Sequence, residues 1–274
     1  MADPEPPHRS VEPRPVKRTQ WWRELAIVAV FYLAYTFVRD IRGTRPVSVF
    51  QAYTNARRLI HVERMFGLFH EEAIQHFFLR HRLLIEACDD FYGTIHFLAA
   101  ITVLVLLFLW FPTRYRLWRN TLAVATGLAL IGFFFFPLMP PRLLPPQYHF
   151  VDTLRVVGGL WNFSSGPINE VSDQYAAMPS LHTTWSAWCA FAVFPLIRNR
   201  WVRPLVFLYP LVTIFAIVVT ANHYFGDVIA GLVLLAVSYW LARRLTAWLD
   251  RRAATTLNLT GPLDSTDSPA RAAR

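Results

Sequence analysis

Apolar residues gather along this chain into long runs bounded by charged or proline-rich stretches, rather than alternating at short intervals. Crossing about 30 Å of hydrocarbon at about 1.5 Å per helical residue takes roughly 20 residues. Six runs approach that length, at 21–38, 91–111, 117–138, 181–197, 202–222 and 225–248. Because only helices or closed barrels satisfy backbone polar groups in lipid, the pattern predicts an all-α integral membrane protein, a six-transmembrane-helix bundle. The first and fourth runs are short and are expected to begin within the interface. The first lacks the small-residue cleavage site of a signal peptide and reads as a retained anchor.

Between the first two runs the pattern changes. Leu59, Val62, Phe66 and Phe69, then Ile74, Phe77, Phe78, Leu84, Ile85 and Cys88, recur at helical spacing. They predict two amphipathic helices between spans one and two. In one arrangement these lie in the headgroup layer, where the eight arginines of 39–90 meet lipid phosphates. In the other they form a cap packed over the bundle.

Outside the runs, 1–20 and 253–274 are rich in Pro, Arg, Ser and Thr and are predicted to be disordered tails. The six-span membrane domain is expected over 21–252.

Composition supports the membrane assignment: 54% of the 274 residues are hydrophobic and 16% are charged, which argues against a disordered chain or a nucleic-acid partner. The net charge of +9 sits largely at the ends of apolar runs. Arg14, Lys17, Arg18 and Arg23 begin the first. Arg114, Arg116 and Arg119 separate the second from the third, Arg198, Arg200 and Arg203 the fourth from the fifth, and Arg243, Arg244, Arg251 and Arg252 follow the sixth. All four groups fall on one face, which predicts cytoplasmic termini in a multi-pass cell-membrane protein. Cys88 and Cys189 do not suggest a disulfide framework.

On the opposite face, span counting brings two connections together. One contains Pro140-Pro141-Arg142 and, later, Met178-Pro179-Ser180-Leu181-His182-Thr183; the other contains Asn222-His223-Tyr224-Phe225-Gly226-Asp227. Ionisable groups at the edge of hydrocarbon are costly unless paired or facing water, so their concentration here points to a site. His223 and Asp227 are four apart, hence stacked on a helix. A carboxylate on one imidazole nitrogen fixes the tautomer and directs the other nitrogen as nucleophile or base. His182 lies where a helix begins, whose free N–H groups suit a phosphate, and Arg142 offers a planar fork for two phosphate oxygens. These groups suit in-line phosphoryl transfer: one histidine attacks phosphorus, the other protonates the leaving oxygen, and the cationic donors stabilise the equatorial oxygens. No metal or other cofactor is required by that scheme.

At these residues the sequence resembles the type 2 phosphatidic acid phosphatase superfamily, in particular its branch related to inositol phosphorylceramide and sphingomyelin synthases. Pro141-Arg142 resembles the first motif, Pro179 to Thr183 the second, and His223-Tyr224-Phe225-Gly226-Asp227 the third. The resemblance implies a membrane enzyme working on a phospholipid substrate at the outer face, through a phosphohistidine. His223 is then the nucleophile, Asp227 its orienting carboxylate, His182 the general acid and Arg142 a phosphate ligand, with Ser180 lining the pocket. Phosphatases of the superfamily carry cations where this chain has Phe135 and Ile217, and glycine where it has Leu181. The synthase branch also lacks those cations, which favours a phosphodiester donor, and transfer of its head group to an alcohol, over hydrolysis of a phosphomonoester.

Asn222 and Tyr224 are candidate head-group contacts, with a helix terminus and an interfacial aromatic as their other readings. Ser180 also fits a simple N-cap. For Tyr92 and His96 a bond between helices is preferred to a place in the site. Asp152, Glu170 and Asp173 are expected to be solvated loop charges. A metal-binding transporter using His182, His223 and Asp227 as ligands is the competing class.

Overall fold

A computed structural model describes residues 48–157 and 178–259, together with the isolated helical positions Trp22, Ala26, Ala29 and Leu33. The described residues are helical with no strand. In chain order the main helices are α1 (Val49–Met65), α2 (Glu71–Leu79), α3 (Arg82–Trp110), α4 (Pro112–Phe135), α5 (Leu181–Val193), α6 (Leu208–Val219) and α7 (Phe225–Leu259). The rest of the first expected span, the N-terminal tail, residues 260–274, Glu170 and Asp173 lie outside the described residues; the C-terminal tail expected from 253 begins later, since α7 continues as helix to Leu259.

Among the described residues three helices are long and apolar enough to cross a membrane: Arg82–Trp110, Pro112–Phe135 and Phe225–Arg252. The other two expected runs are shorter as helices. α5 gives way to a 3-10 turn at Phe194–Leu196, and a 3-10 turn at Arg203–Phe207 leads into α6. Both turns carry proline, Pro195 and Pro204, which removes an N–H and interrupts the α-helical ladder.

Helix packing relies on small residues. Ala125 and Ala129 of α4, Ala187, Ala190 and Ala192 of α5, Ala216 of α6 and Ala242 of α7 are all buried, allowing the close backbone approach that helices in lipid depend on. Trp188, fully buried, fills the space left between them and donates from its indole to the Trp118 carbonyl at 2.9 Å. Large apolar side chains such as Phe97, Ile101, Leu109, Leu211 and Val233 point outward, as a lipid-facing surface requires.

The ends of the bundle are chemically distinct. Arg116 at the start of α4 pairs with Asp250 late in α7 at 2.8 Å, and Asn120 donates to Thr246 at 3.0 Å. Two of the four arginine groups therefore share one end. The motif residues lie at the other, where α4 finishes and α7 begins.

The expected amphipathic helices differ from the sequence pattern in two respects. The second ends at Leu79, and Leu84, Ile85 and Cys88 belong instead to α3, which starts at Arg82. In α1 the inward face is Ala52, Asn55, Ala56, Ile60 and Glu63, whereas Val62 and Phe66 are exposed. A hydrophobic stripe identifies the buried face in water; in a bilayer an apolar stripe can equally face outward. α1 and α2 pack over the motif end, and Gln75 of α2 fixes the loop below them by donating to the Val151 carbonyl at 2.8 Å and accepting from the Val151 N–H at 2.9 Å.

Candidate active site

α1 opens with Ser48 accepting from the Gln51 N–H and closes in a Schellman turn. Gly67 there has a φ of 66°, and the Leu68 N–H bonds to the Glu63 carbonyl at 2.7 Å. The closing turn of α6 has the same form: Ala221 N–H bonds to the Val218 carbonyl and Asn222 N–H to the Ile217 carbonyl, both at 2.9 Å. Here the left-handed position holds Ala221, φ 52°, rather than glycine. That turn throws Asn222 and His223 across the end of the bundle just before α7 begins.

His223 precedes α7 instead of stacking on it as expected, yet from there its Nδ1 lies 3.0 Å from Oδ2 of Asp227 on the first turn of α7. Both residues are buried, Asp227 completely. The four-residue spacing therefore produces the expected pair.

The second motif meets the third through backbone. Ser180 N–H donates to the Asp227 carbonyl at 3.1 Å, and the Thr184 hydroxyl lies 2.8 Å from the Ser180 carbonyl and 3.0 Å from that of Gly231. A Cβ on Gly231 would stand 2.6 Å from the Ser180 carbonyl oxygen, so only glycine admits this crossing. Ser180 caps α5 by accepting from the Thr183 N–H at 3.3 Å. His182, half-buried on the first turn of α5, comes to 5.5 Å from His223 between ring centroids. Its ring is also stacked on Tyr92 at 4.3 Å and lies 4.2 Å from His96. The structure thus places Tyr92 and His96 against His182, not merely between helices. His96 Nδ1 is bonded to the Tyr92 carbonyl at 2.9 Å.

Arg142 joins the group from the connection after α4. Its backbone N–H donates to the Ala221 carbonyl at 2.9 Å, its Nε to Asn222 Oδ1 at 2.9 Å, and its Nη1 lies 3.3 Å from both oxygens of Asp152. Among the described residues Nη2 makes no hydrogen bond. Asn222 is fixed in turn by donating to the Thr220 hydroxyl at 2.8 Å. Asp152 is not a solvated loop charge: it is 13% exposed and pairs with Arg142 and with Arg155. Tyr224 is fully buried, and its hydroxyl donates to the Met139 carbonyl at 2.9 Å, tying the first-motif connection to the third-motif turn.

Of the positions where related phosphatases carry cations, Phe135 is exposed at the end of α4 and Ile217 is completely buried in α6. Neither brings charge to the site. Among the described residues no group of three or more His, Cys, Asp or Glu is arranged to hold a metal ion.

Two groups that sequence reasoning passed over also touch this region. Glu63 of α1 accepts from the Gly226 N–H at 2.6 Å, and Glu71 of α2 from the Phe225 N–H at 2.8 Å. The only trace in the sequence is Glu63 recurring in helical register with Ala52, Ala56 and Ile60.

A family model described as the PAP2 superfamily matches residues 57–241, which include all three motifs. No curated protein and no solved structure matches the chain.

Proposed function

The chain belongs to the PAP2 superfamily, whose membership points to phosphatase or phosphotransferase chemistry, and from that premise we propose a membrane-embedded lipid phosphotransferase working through a phosphohistidine on His223. The observation that carries this reading is the meeting of three sequence-distant elements. The His223–Asp227 pair, the His182 ring 5.5 Å away and the Asn222-held guanidinium of Arg142 surround one small region.

With Nδ1 donating to Asp227, His223 keeps the lone pair of Nε2 for attack on phosphorus. The P–O bond to the lipid alcohol breaks as the P–N bond forms, and protonated His182 gives its proton to the departing oxygen. Arg142 Nη2 and the free N–H groups at the start of α5 stabilise charge on the non-reacting oxygens. In the second half, neutral His182 takes the proton of an acceptor hydroxyl as that oxygen attacks phosphorus, and His223 is released. An alcohol acceptor gives transfer and water gives hydrolysis.

The uncharged Phe135 and Ile217 favour a phosphodiester donor, which carries less charge than a phosphomonoester, in an inositol phosphorylceramide synthase-like reaction. We assign the protein six spans, cytoplasmic termini and an outward-facing site. On this assignment α1 and α2 lie at the headgroup layer while also capping the bundle.

Purified protein incubated with a panel of phosphatidyl donors, with and without inositol or other polyols, tests the reading. A phosphorylated alcohol as product supports transfer, whereas free phosphate from phosphatidic acid or an isoprenyl diphosphate selects the lipid phosphate phosphatase alternative. Radiolabelled donor should leave an acid-labile, base-stable adduct that is absent from His223→Ala; an adduct persisting in that variant refutes the choice of nucleophile.

A further inference from the structure

Glu63 and Glu71 stand out for where they sit, not for what they are: both are almost wholly buried, in the two helices that pack over the motif end. One oxygen of each accepts a backbone N–H from the first turn of α7, Gly226 for Glu63 and Phe225 for Glu71. These are N–H groups a helix start leaves without an internal partner. The second oxygen of each, Oε2, is buried and meets no donor among the described residues. The two carboxyl groups interact with each other. Two buried carboxylates in contact repel strongly, but a carboxylic acid donating to a carboxylate satisfies both stranded oxygens.

We propose that Glu63 and Glu71 share one proton and together form a clip that fastens α1 and α2 to the first turn of α7, holding His223 and Asp227 in register with His182, and that the clip opens when the shared proton is lost. The proposal rests on the catalytic reading of His223, for which the two glutamates are positioning residues.

Three observations support it. Gly226 allows the contact: a Cβ there would lie 2.6 Å from Leu59 Cδ1 and 3.1 Å from Glu63 Oε1, so the glycine is explained by the approach of α1. The clipped residues, Phe225 and Gly226, lie between the two halves of the His223–Asp227 pair. Finally, burial, with the neighbouring Glu71 second, pushes the Glu63 carboxyl up from 4.5 to about 8, and burial likewise raises Glu71. The charged groups facing the pair are each other and Asp227 of α7, and the neighbouring titratable phenol is Tyr224. Acidic neighbours all favour keeping the proton.

The sign follows from linkage. A carboxyl that holds its proton more tightly when folded contributes stability that is complete below 4.5 and is lost as the pH rises through about 8.

Glu63→Gln supplies the test, since its amide oxygen can accept from Gly226 while its NH2 donates to Glu71, a permanent copy of the protonated clip. Three measurements on purified full-length protein are compared from pH 5 to 10 with wild type. These are the melting temperature, the downfield proton resonance of the His223 imidazole N–H, and turnover of the donor found active above. Wild type should lose melting temperature, resonance and kcat together on the alkaline side, while Glu63→Gln keeps all three to a pH at least about one unit higher. Glu63→Ala, which strands the Gly226 N–H, should lower kcat at every pH. Alkaline limbs identical in wild type and Glu63→Gln overturn the proposal. If no lipid phosphoester is turned over by wild type, the catalytic reading fails, and the melting and resonance curves still decide whether the clip holds a proton and positions His223.

Discussion

Arg142 and Asn222 are 80 residues apart in the chain, and Nε of the first donates to Oδ1 of the second at 2.9 Å. Asn222 therefore orients the guanidinium, with Asp152 holding Nη1 on the other side. A lysine has a single point charge and cannot keep both bonds while serving a ligand. Charge-assisted hydrogen bonds contribute about 1.5–3 kcal/mol, so Arg142→Lys should lower kcat/KM roughly 10- to 100-fold. Asn222→Ala, which removes the orienting bond but leaves the charge, should lower it less, by roughly fivefold. Steady-state kinetics on both variants check the order; equal losses would show that Asn222 does more than orient Arg142.

Asp227→Asn isolates the tautomer argument. The amide retains the size of the carboxylate but offers an NH2 as well as an oxygen, and it cannot stabilise a charged His223 imidazole. The comparable change in a serine-protease triad costs on the order of 10⁴ in kcat, and a fall of about 10³-fold or more is expected here. Melting temperature should change little by comparison. A variant retaining a tenth of wild-type kcat would remove Asp227 from its orienting role.

Much of this site was legible before any coordinates because polar groups at the edge of hydrocarbon are costly enough to stand out. His182, His223, Asp227 and Arg142 could be brought to one end by counting spans alone. The inward face of α1 was not legible: Ala52 and Ala56 carry little hydrophobic signal, while Val62 and Phe66 carry a strong one and are exposed. The partners of Glu63 and Glu71 were hidden for another reason. The N–H groups they accept from lie 163 and 154 residues away, and a backbone donor leaves no mark on residue type. The packing of Tyr92 and His96 against His182 is likewise a property of how α3 and α5 cross, which periodicity does not contain.

Two glycines provide a paired test of the crossing between α5 and α7. A methyl group at Gly231 would collide with the Ser180 backbone carbonyl, which cannot move without breaking the link from Ser180 N–H to Asp227. At Gly127 in α4, the same methyl group would meet nothing within 4 Å. Gly231→Ala should therefore lower the melting temperature and abolish most turnover, while Gly127→Ala leaves both near wild type. Comparable behaviour of the two variants would mean that α5 and α7 are not held by this contact.

Ala221 closes α6 in a left-handed conformation that costs an L-residue roughly 1–2 kcal/mol. Glycine removes that cost, but it adds about 0.5–1 kcal/mol of backbone entropy and gives up the burial of one methyl group, about 0.8 kcal/mol. The terms nearly cancel, so Ala221→Gly should stay within about 1 kcal/mol of wild type in stability. Ala221→Val has no such compensation: β-branching disfavours the left-handed region further, and the position is completely buried. Because the Ala221 carbonyl also receives the Arg142 N–H, distortion of this turn reaches the guanidinium directly. Ala221→Val should lower both melting temperature and kcat/KM, whereas Ala221→Gly changes kcat/KM by no more than a few fold; a fully active Ala221→Val protein would show that the turn does not set the position of Arg142.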